Sequence, residues 1–333
     1  MADDVVLVGD IGGTNARFTL AESGLERPQL RALEILATND FASLQAAAEY
    51  YLGQVAVRPR RAALAVACPV RSDDICLTNR AWSFNRLQLA AALGLDELRV
   101  INDFGAAARG IAALGPDEYE LLCGRARTGL SDPVSVIGPG TGMGVALLVR
   151  NPDQCWQVIE TEGGHISLAT LGPEERRIRD WLAVRHGRVS IERVLSGPGL
   201  SEVHAAFSGL PPARQSTPDS ALQAPADVVA AALNGTDRAA TSTLALFCAT
   251  LGSVAGDAAL FHGARTVAIA GGIVPRFIPF LKSSAFRQRF LDKGRFAAYL
   301  EEINVVVVTH PEPGLLGAAI QLLAPQAPGE LPA

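Results

Sequence analysis

The chain has 333 residues, 49% of them apolar and 19% charged. That content can bury a sizeable core in about two domains and excludes a disordered chain. A formal net charge of −5 argues against a nucleic-acid-binding or anionic-membrane surface.

In chain order, the first feature is the apolar run Val5-Val6-Leu7-Val8-Gly9, then Asp10-Ile11-Gly12-Gly13-Thr14, then a second run from Asn15 to Leu20. This pattern predicts a β-hairpin with a carboxylate at its tip. Gly12 and Gly13 let a ligand approach the backbone. Their amides, with the Thr14 hydroxyl, can bond phosphate oxygens, and Asp10 can hold Mg²⁺ directly or through water. A plain hairpin turning on Gly-Gly is the competing reading. The acidic start Met1-Ala2-Asp3-Asp4 leads straight into this strand and does not read as a signal peptide. Residues 30–36 then read as a strand, 41–52 as an amphipathic helix, 62–67 as a short buried strand and 84–93 as a helix. Residues 98–101 form a strand ending in Asn102-Asp103, and 104–114 continue as a helix. The order predicts an α/β unit whose antiparallel edge is the early hairpin.

The pattern restarts at Val134. Residues 134–137 read as a strand, 138–144 as a glycine-threonine turn and 145–149 as a returning strand, so the opening hairpin is repeated. A duplicated unit facing its copy across a cleft is a natural way to grip a nucleotide from both sides. Helices dominate residues 174–262. The apolar stretch 244–260, interrupted by Gly252, Gly256 and Asp257, reads as a buried core helix and not a membrane span. Residues 266–270 form a strand ending in Gly271-Gly272, 304–309 a last strand and 314–323 a last helix. The proline- and serine-rich stretch 208–226 reads as a surface loop, and the tail after Pro325 is expected to fray. The five cysteines (Cys68, Cys76, Cys123, Cys155, Cys248) show no C-x-x-C spacing. They read as thiols in a reducing cytoplasm, not as a zinc or disulfide framework.

The chemistry-bearing segments narrow the function. Gly138 to Gly144 fails as a dinucleotide fingerprint, because Met143 breaks the spacing and a β-like run follows where a helix is needed. No glycine loop carries the lysine of a Walker motif. The only lysines, Lys282 and Lys293, lack a protein-kinase context. What remains is a turn offering amides and the Thr141 hydroxyl to a phosphate, or a tight turn alone. Asp103, at a strand's carboxyl end, can orient a substrate hydroxyl and accept its proton as it attacks phosphorus; a cap on the following helix is the competing reading. Glu162-Gly163-Gly164-His165 and Ser190-Ile191-Glu192-Arg193 supply two carboxylates and an imidazole suited to vicinal hydroxyls, with glycines giving close access. A metal site is disfavoured, since no second histidine lies at ligand spacing. A surface acid and a core histidine are the competing reading for this group. Ala270-Gly271-Gly272-Ile273-Val274 would let an adenosine moiety lie against the backbone.

Taken in order, these segments resemble the bacterial ATP-dependent glucokinases of the hexokinase–actin–Hsp70 superfamily, over essentially the whole chain. The resemblance is carried by residues 7–17, Ala67-Cys68-Pro69, Thr78-Asn79, Ile101-Asn102-Asp103-Phe104 and Gly140-Thr141-Gly142-Met143-Gly144. It continues through Glu162-Gly163-Gly164-His165, residues 192–200, residues 269–277 and Pro313-Gly314-Leu315-Leu316-Gly317. It implies an α/β, two-domain actin-like ATPase (ribonuclease H-like) fold, with duplicated hairpin units around a deep cleft. Residues 1–113 with 310–333 would form a small domain, and 114–309 a large one. It also implies transfer of the γ-phosphoryl of ATP to the 6-hydroxyl of glucose, in glycolysis, by a cytoplasmic homodimer binding neither nucleic acid nor membrane.

By the same resemblance, Gly9, Asp10, Ile11, Gly12, Gly13 and Thr14 form a first phosphate motif, with Asp10 holding Mg²⁺ through water. Gly140, Thr141 and Gly142 form a second, and Gly271 and Gly272 the adenosine motif. Asp103 matches the catalytic base, and Asn102, Asp103, Glu162, His165 and Glu192 the sugar-binding set. The sister ROK branch carries a zinc-binding cysteine cluster after its Glu-x-Gly-His motif. Residues 166–173 contain no cysteine, which excludes zinc and places the chain in the other branch. A kinase of another hexose or an amino sugar is the nearest alternative. A non-catalytic sugar-sensing regulator is the more distant one.

Overall fold

The computed structural model describes residues 5–68, 70, 72–77, 82–125, 129–212 and 222–323. Pro69, Thr78 and Asn79 of the quoted segments, the middle of the 208–226 loop and the tail after Pro325 lie outside the described residues. The chain divides into two compact units. One comprises residues 1–114, 150–160 and 310–333, the other residues 115–149 and 161–309.

The first unit opens with the expected hairpin, β1 (Val5–Ile11) and β2 (Asn15–Glu22), joined by Gly12-Gly13-Thr14. The strand β3 (Gln29–Ala37), helix α1 (Leu44–Gln54) and strand β4 (Arg61–Val66) follow. A small ribbon of β5 (Asp74–Cys76) and β6 (Ser83–Asn85) precedes α2 (Arg86–Leu93), β7 (Glu97–Asn102) and α3 (Asp103–Ile111). Two helix starts differ from expectation. The first helix begins at Leu44 because the Ser43 side chain accepts from the Ala46 amide, which fixes the N-cap there. Phe84 belongs to a strand because Asn85 caps the next helix, accepting from the amides of Leu87 and Gln88.

The main sheet runs β3-β2-β1-β4-β7, with β1 antiparallel to β2 and parallel to β4. Alternation along β1 and β4 sorts side chains between two faces. Leu7, Ile11, Leu64 and Val66 join Phe18 and Tyr51 in one core. Val6, Val8, Ala63 and Ala65 face the other way, against Ala106 of α3 and Leu315, Ala318 and Ala319 of the last helix. That second face is built from small residues, so the helices lie close. A Cβ on Gly110 would sit 2.0 Å from the Pro313 carbonyl oxygen, and one on Gly317 1.8 Å from that of Ala106. Those two glycines set how closely α3, which Asp103 starts, lies against α11.

The second unit adds β8 (Tyr119–Cys123), then the second hairpin, β9 (Val134–Pro139) and β10 (Met143–Arg150), around Gly140-Thr141-Gly142. Strand β11 (Trp156–Thr161), grouped with the first unit as far as Glu160, pairs beyond β10, and neither it nor β8 was anticipated. Helices α4 (Pro173–His186), α5 (Gly197–Phe207), α6 (Pro225–Asn234) and α7 (Arg238–His262) follow, as expected for this stretch. Strand β12 (Thr266–Ile269), short helices α8 (Ile278–Ser283), α9 (Phe286–Leu291) and α10 (Ala297–Glu301), and strand β13 (Asn304–Val308) complete the unit. Helix α11 (Pro313–Leu323) returns to the first unit. The sheet order is β11-β10-β9-β12-β13-β8. Here β9 is antiparallel to β10 and parallel to β12, the same hairpin-plus-parallel-strand arrangement as in the first unit. Helix α7 passes a length-and-hydropathy test for a membrane span, but 67% of its most apolar window is buried inside the protein. It is the core helix that its glycines suggested.

Candidate active site

In the first unit, period-two alternation puts Asp10 on the same face as Val6 and Val8, at the C-terminal end of β1. Its hairpin partner is Arg17, and the two side chains meet at 3.3 Å. Arg17 in turn lies 3.5 Å from Glu312, just before α11. The Asp10 carboxyl is raised above its usual pKa because burial outweighs the favourable Arg17 charge. The turn behind it is braced from its carbonyl side. The Thr38 hydroxyl donates to the Gly13 and Thr14 carbonyls at 2.9 and 3.0 Å, and its amide donates to the Thr14 carbonyl at 3.0 Å. Those carbonyls are the groups a phosphate does not need.

Gly9 and Ile11 have a different character. A Cβ on Gly9 would meet Leu64 Cδ2 at 2.6 Å, so this glycine serves strand packing. The Ile11 side chain is fully buried, which leaves only its backbone for a ligand.

Asn102 and Asp103 end β7 and begin α3. Asn102 Oδ1 accepts from the amides of Phe104 and Gly105 at 3.0 and 2.9 Å, so it is the helix cap. The cap reading offered for Asp103 therefore belongs to its neighbour. Asp103 Oδ1 accepts from the Phe104 amide at 2.7 Å, which fixes the carboxyl's orientation. Its pKa is pushed up to about 6, first by burial, then by the Asp10 charge, with Glu160 adding a smaller push. Glu160, from β11, lies against the first turn of α3: a Cβ on Gly105 would sit 2.1 Å from its Oε1.

The second unit assembles its residues around the exit of the second turn. The turn closes by a bond from the Gly140 amide to the Gly142 carbonyl at 2.8 Å. The Gly197 amide, at the start of α5, donates to the Gly140 carbonyl at 2.8 Å. Glu192 Oε2 accepts from the Met143 amide at 2.9 Å. Gly271 has φ +90°, and a Cβ there would lie 2.3 Å from the Pro139 carbonyl oxygen, so only glycine fits against this hairpin. Nothing crowds a Cβ at Gly272.

Glu162 and His165 flank a single 3₁₀ turn, Gly163–His165, with His165 Nε2 3.9 Å from Glu162 Oε2. Both side chains are exposed, at 69% and 56%. The glycines between them act differently from expectation. They pack against β10 instead of opening access: a Cβ on Gly164 would be 1.9 Å from the Met143 carbonyl oxygen, and one on Gly163 2.8 Å from Val145 Cβ. Arg188 Nη1 donates to the His165 carbonyl at 2.7 Å, and the Ile191 amide to that of Ile166 at 3.0 Å. The 3₁₀ turn that carries Glu162 and His165 thus seats Gly164 on the Met143 carbonyl, while Glu192 bonds the Met143 amide. Among the described residues, no group of three or more His, Cys, Asp or Glu side chains converges as a metal cluster.

Three comparisons bear on this arrangement. The Glucokinase family model matches residues 7–325. The glucokinase of Stenotrophomonas maltophilia strain K279a is 43% identical over 323 residues, covering 94% of this chain and 93% of its own. The chain belongs to the glucokinase family. A crystal structure of a glucokinase from an Antarctic psychrotroph superposes with a TM-score of 0.79 at 36% identity, covering 96% of this chain and 98% of its own. The glucokinase of Balamuthia mandrillaris, solved in complex with glucose, has a TM-score of 0.78 at 20% identity, over 96% of this chain and 93% of its own, a likeness of fold. The expected α/β, actin-like fold and the recognised family both hold.

Some groups at this candidate site escaped the sequence. Arg17 could have been found by counting the hairpin register from Asp10. Thr38, Glu160 and Glu312 reach it only through tertiary packing, which local patterns do not encode.

Proposed function

We propose that Asp103 is the general base that takes the proton of the glucose 6-hydroxyl as the sugar attacks the γ-phosphorus of ATP. Its carboxyl, near pKa 6, is predominantly ionised at neutral pH yet still basic, which is where a general base works best. Membership of the glucokinase family supports the reaction class. The observation that carries the role is the division of labour at the start of α3: Asn102 caps the helix, and Asp103 is held by one amide in a buried, acid-rich setting.

Asn102, Glu162, His165 and Glu192 bond the remaining sugar hydroxyls in this reading. Carboxylates accept from hydroxyls, the imidazole donates or accepts, and the Asn102 amide group donates. The Gly12 and Gly140 amides close their own turns, so the amides of Gly13, Thr14, Thr141 and Gly142, with the threonine hydroxyls, cradle phosphates, while Gly271 and Gly272 offer their backbone to the adenosine. Asp10 and Asp103 are two carboxylates that raise each other's energy, a setting that a divalent cation relieves. Asp10 would hold Mg²⁺ through water, and the cation would neutralise charge on the phosphates. The five cysteines are unpaired, in keeping with a cytoplasmic location. A homodimer is part of the same reading.

A coupled assay with ATP·Mg²⁺ and a panel of glucose, mannose, fructose, galactose and N-acetylglucosamine tests this. Turnover is expected largely on glucose, since a sugar lacking one bonded hydroxyl leaves unpaired the polar groups that its binding covers, at about 1–3 kcal/mol each. Equal kcat/KM for glucose and its epimers would overturn the pocket as described.

A further inference from the structure

Glu192 stands in the candidate sugar set, yet among the described residues its hydrogen-bond partner belongs to the nucleotide turn. Its Oε2 accepts from the amide of Met143, the residue that leaves Gly140-Thr141-Gly142. A Cβ on Gly142 would lie 2.6 Å from that same oxygen, so the carboxylate also fills the space beside the turn. The segment carrying Glu192 continues to Gly197, whose amide holds the Gly140 carbonyl at 2.8 Å. One short segment therefore grips both ends of the turn, its entry through backbone and its exit through a carboxylate. The carbonyl of Met143 in turn abuts Gly164, between Glu162 and His165.

We infer that Glu192 is a positioning residue for the nucleotide turn as well as a sugar ligand, so that sugar and nucleotide affinities are coupled through one carboxylate. The inference rests on the functional reading above. A carboxylate has two oxygens and about four acceptor positions, so one amide leaves capacity for sugar hydroxyls. An anionic group bonded at the turn opposes a phosphate arriving there. Hydroxyls donating to that carboxylate draw off its charge and fix its orientation. The sugar thus makes the turn more receptive to phosphate, and by linkage the nucleotide strengthens sugar binding by the same factor.

The test is calorimetric titration of the full chain with AMPPNP·Mg²⁺, which is not turned over, with and without saturating glucose. The parent is expected to gain about fivefold or more in AMPPNP affinity when glucose is present. Glu162→Gln, which touches the sugar set but not the turn, should keep that gain once its own saturating glucose concentration is used. Glu192→Gln removes the charge with little change of shape, and Glu192→Asp keeps the charge but shortens the reach to Met143. Both should bind AMPPNP while losing the gain. Retention of the parental gain in both variants would overturn the inference, as would a parent that binds glucose and AMPPNP independently. A parent that binds neither would instead overturn the functional reading, and this inference with it.

Discussion

The two hairpins share a scaffold and differ in where their acid comes from. In the first, the acid is part of the strand: Asp10 ends β1, faces Arg17 across the register, and sits on the face covered by α3 and α11. In the second, the equivalent position carries no charge, and a carboxylate 49 residues along the chain is brought to the turn's exit. Both turns are held by amide bonds; the first adds the Thr38 hydroxyl on its carbonyls, the second that borrowed acid. A duplicated fold therefore repeats its backbone geometry faithfully and leaves its charge free to be placed separately. In the proposed reading, the first unit concentrates charge where a proton and a cation are managed. The second builds its turn from uncharged residues and borrows one carboxylate, Glu192, that the same reading also gives to sugar hydroxyls.

The sharpest way to break this contrast is at the proton-handling end. Asp103→Asn should lower kcat by ~10²–10⁴ while leaving glucose binding measurable. The same change should stabilise the fold at neutral pH. A carboxyl raised from 3.8 to about 6 costs stability as pH rises past its unfolded value, with the cost fully present above about 6. Removing it should gain on the order of 1–3 kcal/mol at pH 7, a gain that vanishes below about pH 4. Thermal melts across that range check the sign; a variant less stable than the parent at pH 7 would contradict it.

In the second unit, Gly164→Ala drives a methyl into the Met143 carbonyl and must shift the turn that carries Glu162 and His165. A displacement of that kind should cost on the order of 10² in kcat/KM for glucose. Unchanged kinetics would mean that the turn's seat on β10 does not govern the sugar groups. Gly317→Ala tests the scaffold beneath Asp103. Its Cβ has no room beside the Ala106 carbonyl, so α3 and α11 must separate, at about 1–3 kcal/mol of stability. An unchanged melting temperature would show that the crossing is compliant. Smallest is Glu160→Gln, which should move the acid limb of the rate profile slightly to lower pH by removing one like charge near Asp103. A limb that stays in place would remove Glu160 from the electrostatics of the base.

Both hairpins were legible in the sequence, because alternation and glycine turns are local signals, and so was the strand end at Asn102-Asp103. The core helix through Gly252 and Gly256 was legible too. Its glycines meet the backbone of α9: a Cβ on Gly252 would lie 2.3 Å from the Phe286 carbonyl oxygen. Strand β11 was not, since most of its residues are exposed and its apolar alternation is weak. Nor were the roles of Gly163 and Gly164: a glycine beside a polar cluster reads alike whether it admits a ligand or packs on a strand. The bond between Glu192 and Met143 depends on the folded path of the chain between them, which no spacing reveals. The choice between cap and base at Asn102-Asp103 was open in the sequence because both residues make good caps. Two hydrogen bonds to Asn102 Oδ1 assign the cap to Asn102.

The most direct test of the central claim is the pH dependence of kcat/KM for glucose with ATP·Mg²⁺, measured for the parent and for Asp103→Asn. A base whose carboxyl titrates at about 6 predicts activity that falls as pH drops through that value, and Asp103→Asn should lose this limb from its residual rate. A parental profile flat through that region, or an acid limb that survives the substitution, would contradict the assignment of Asp103 as the base.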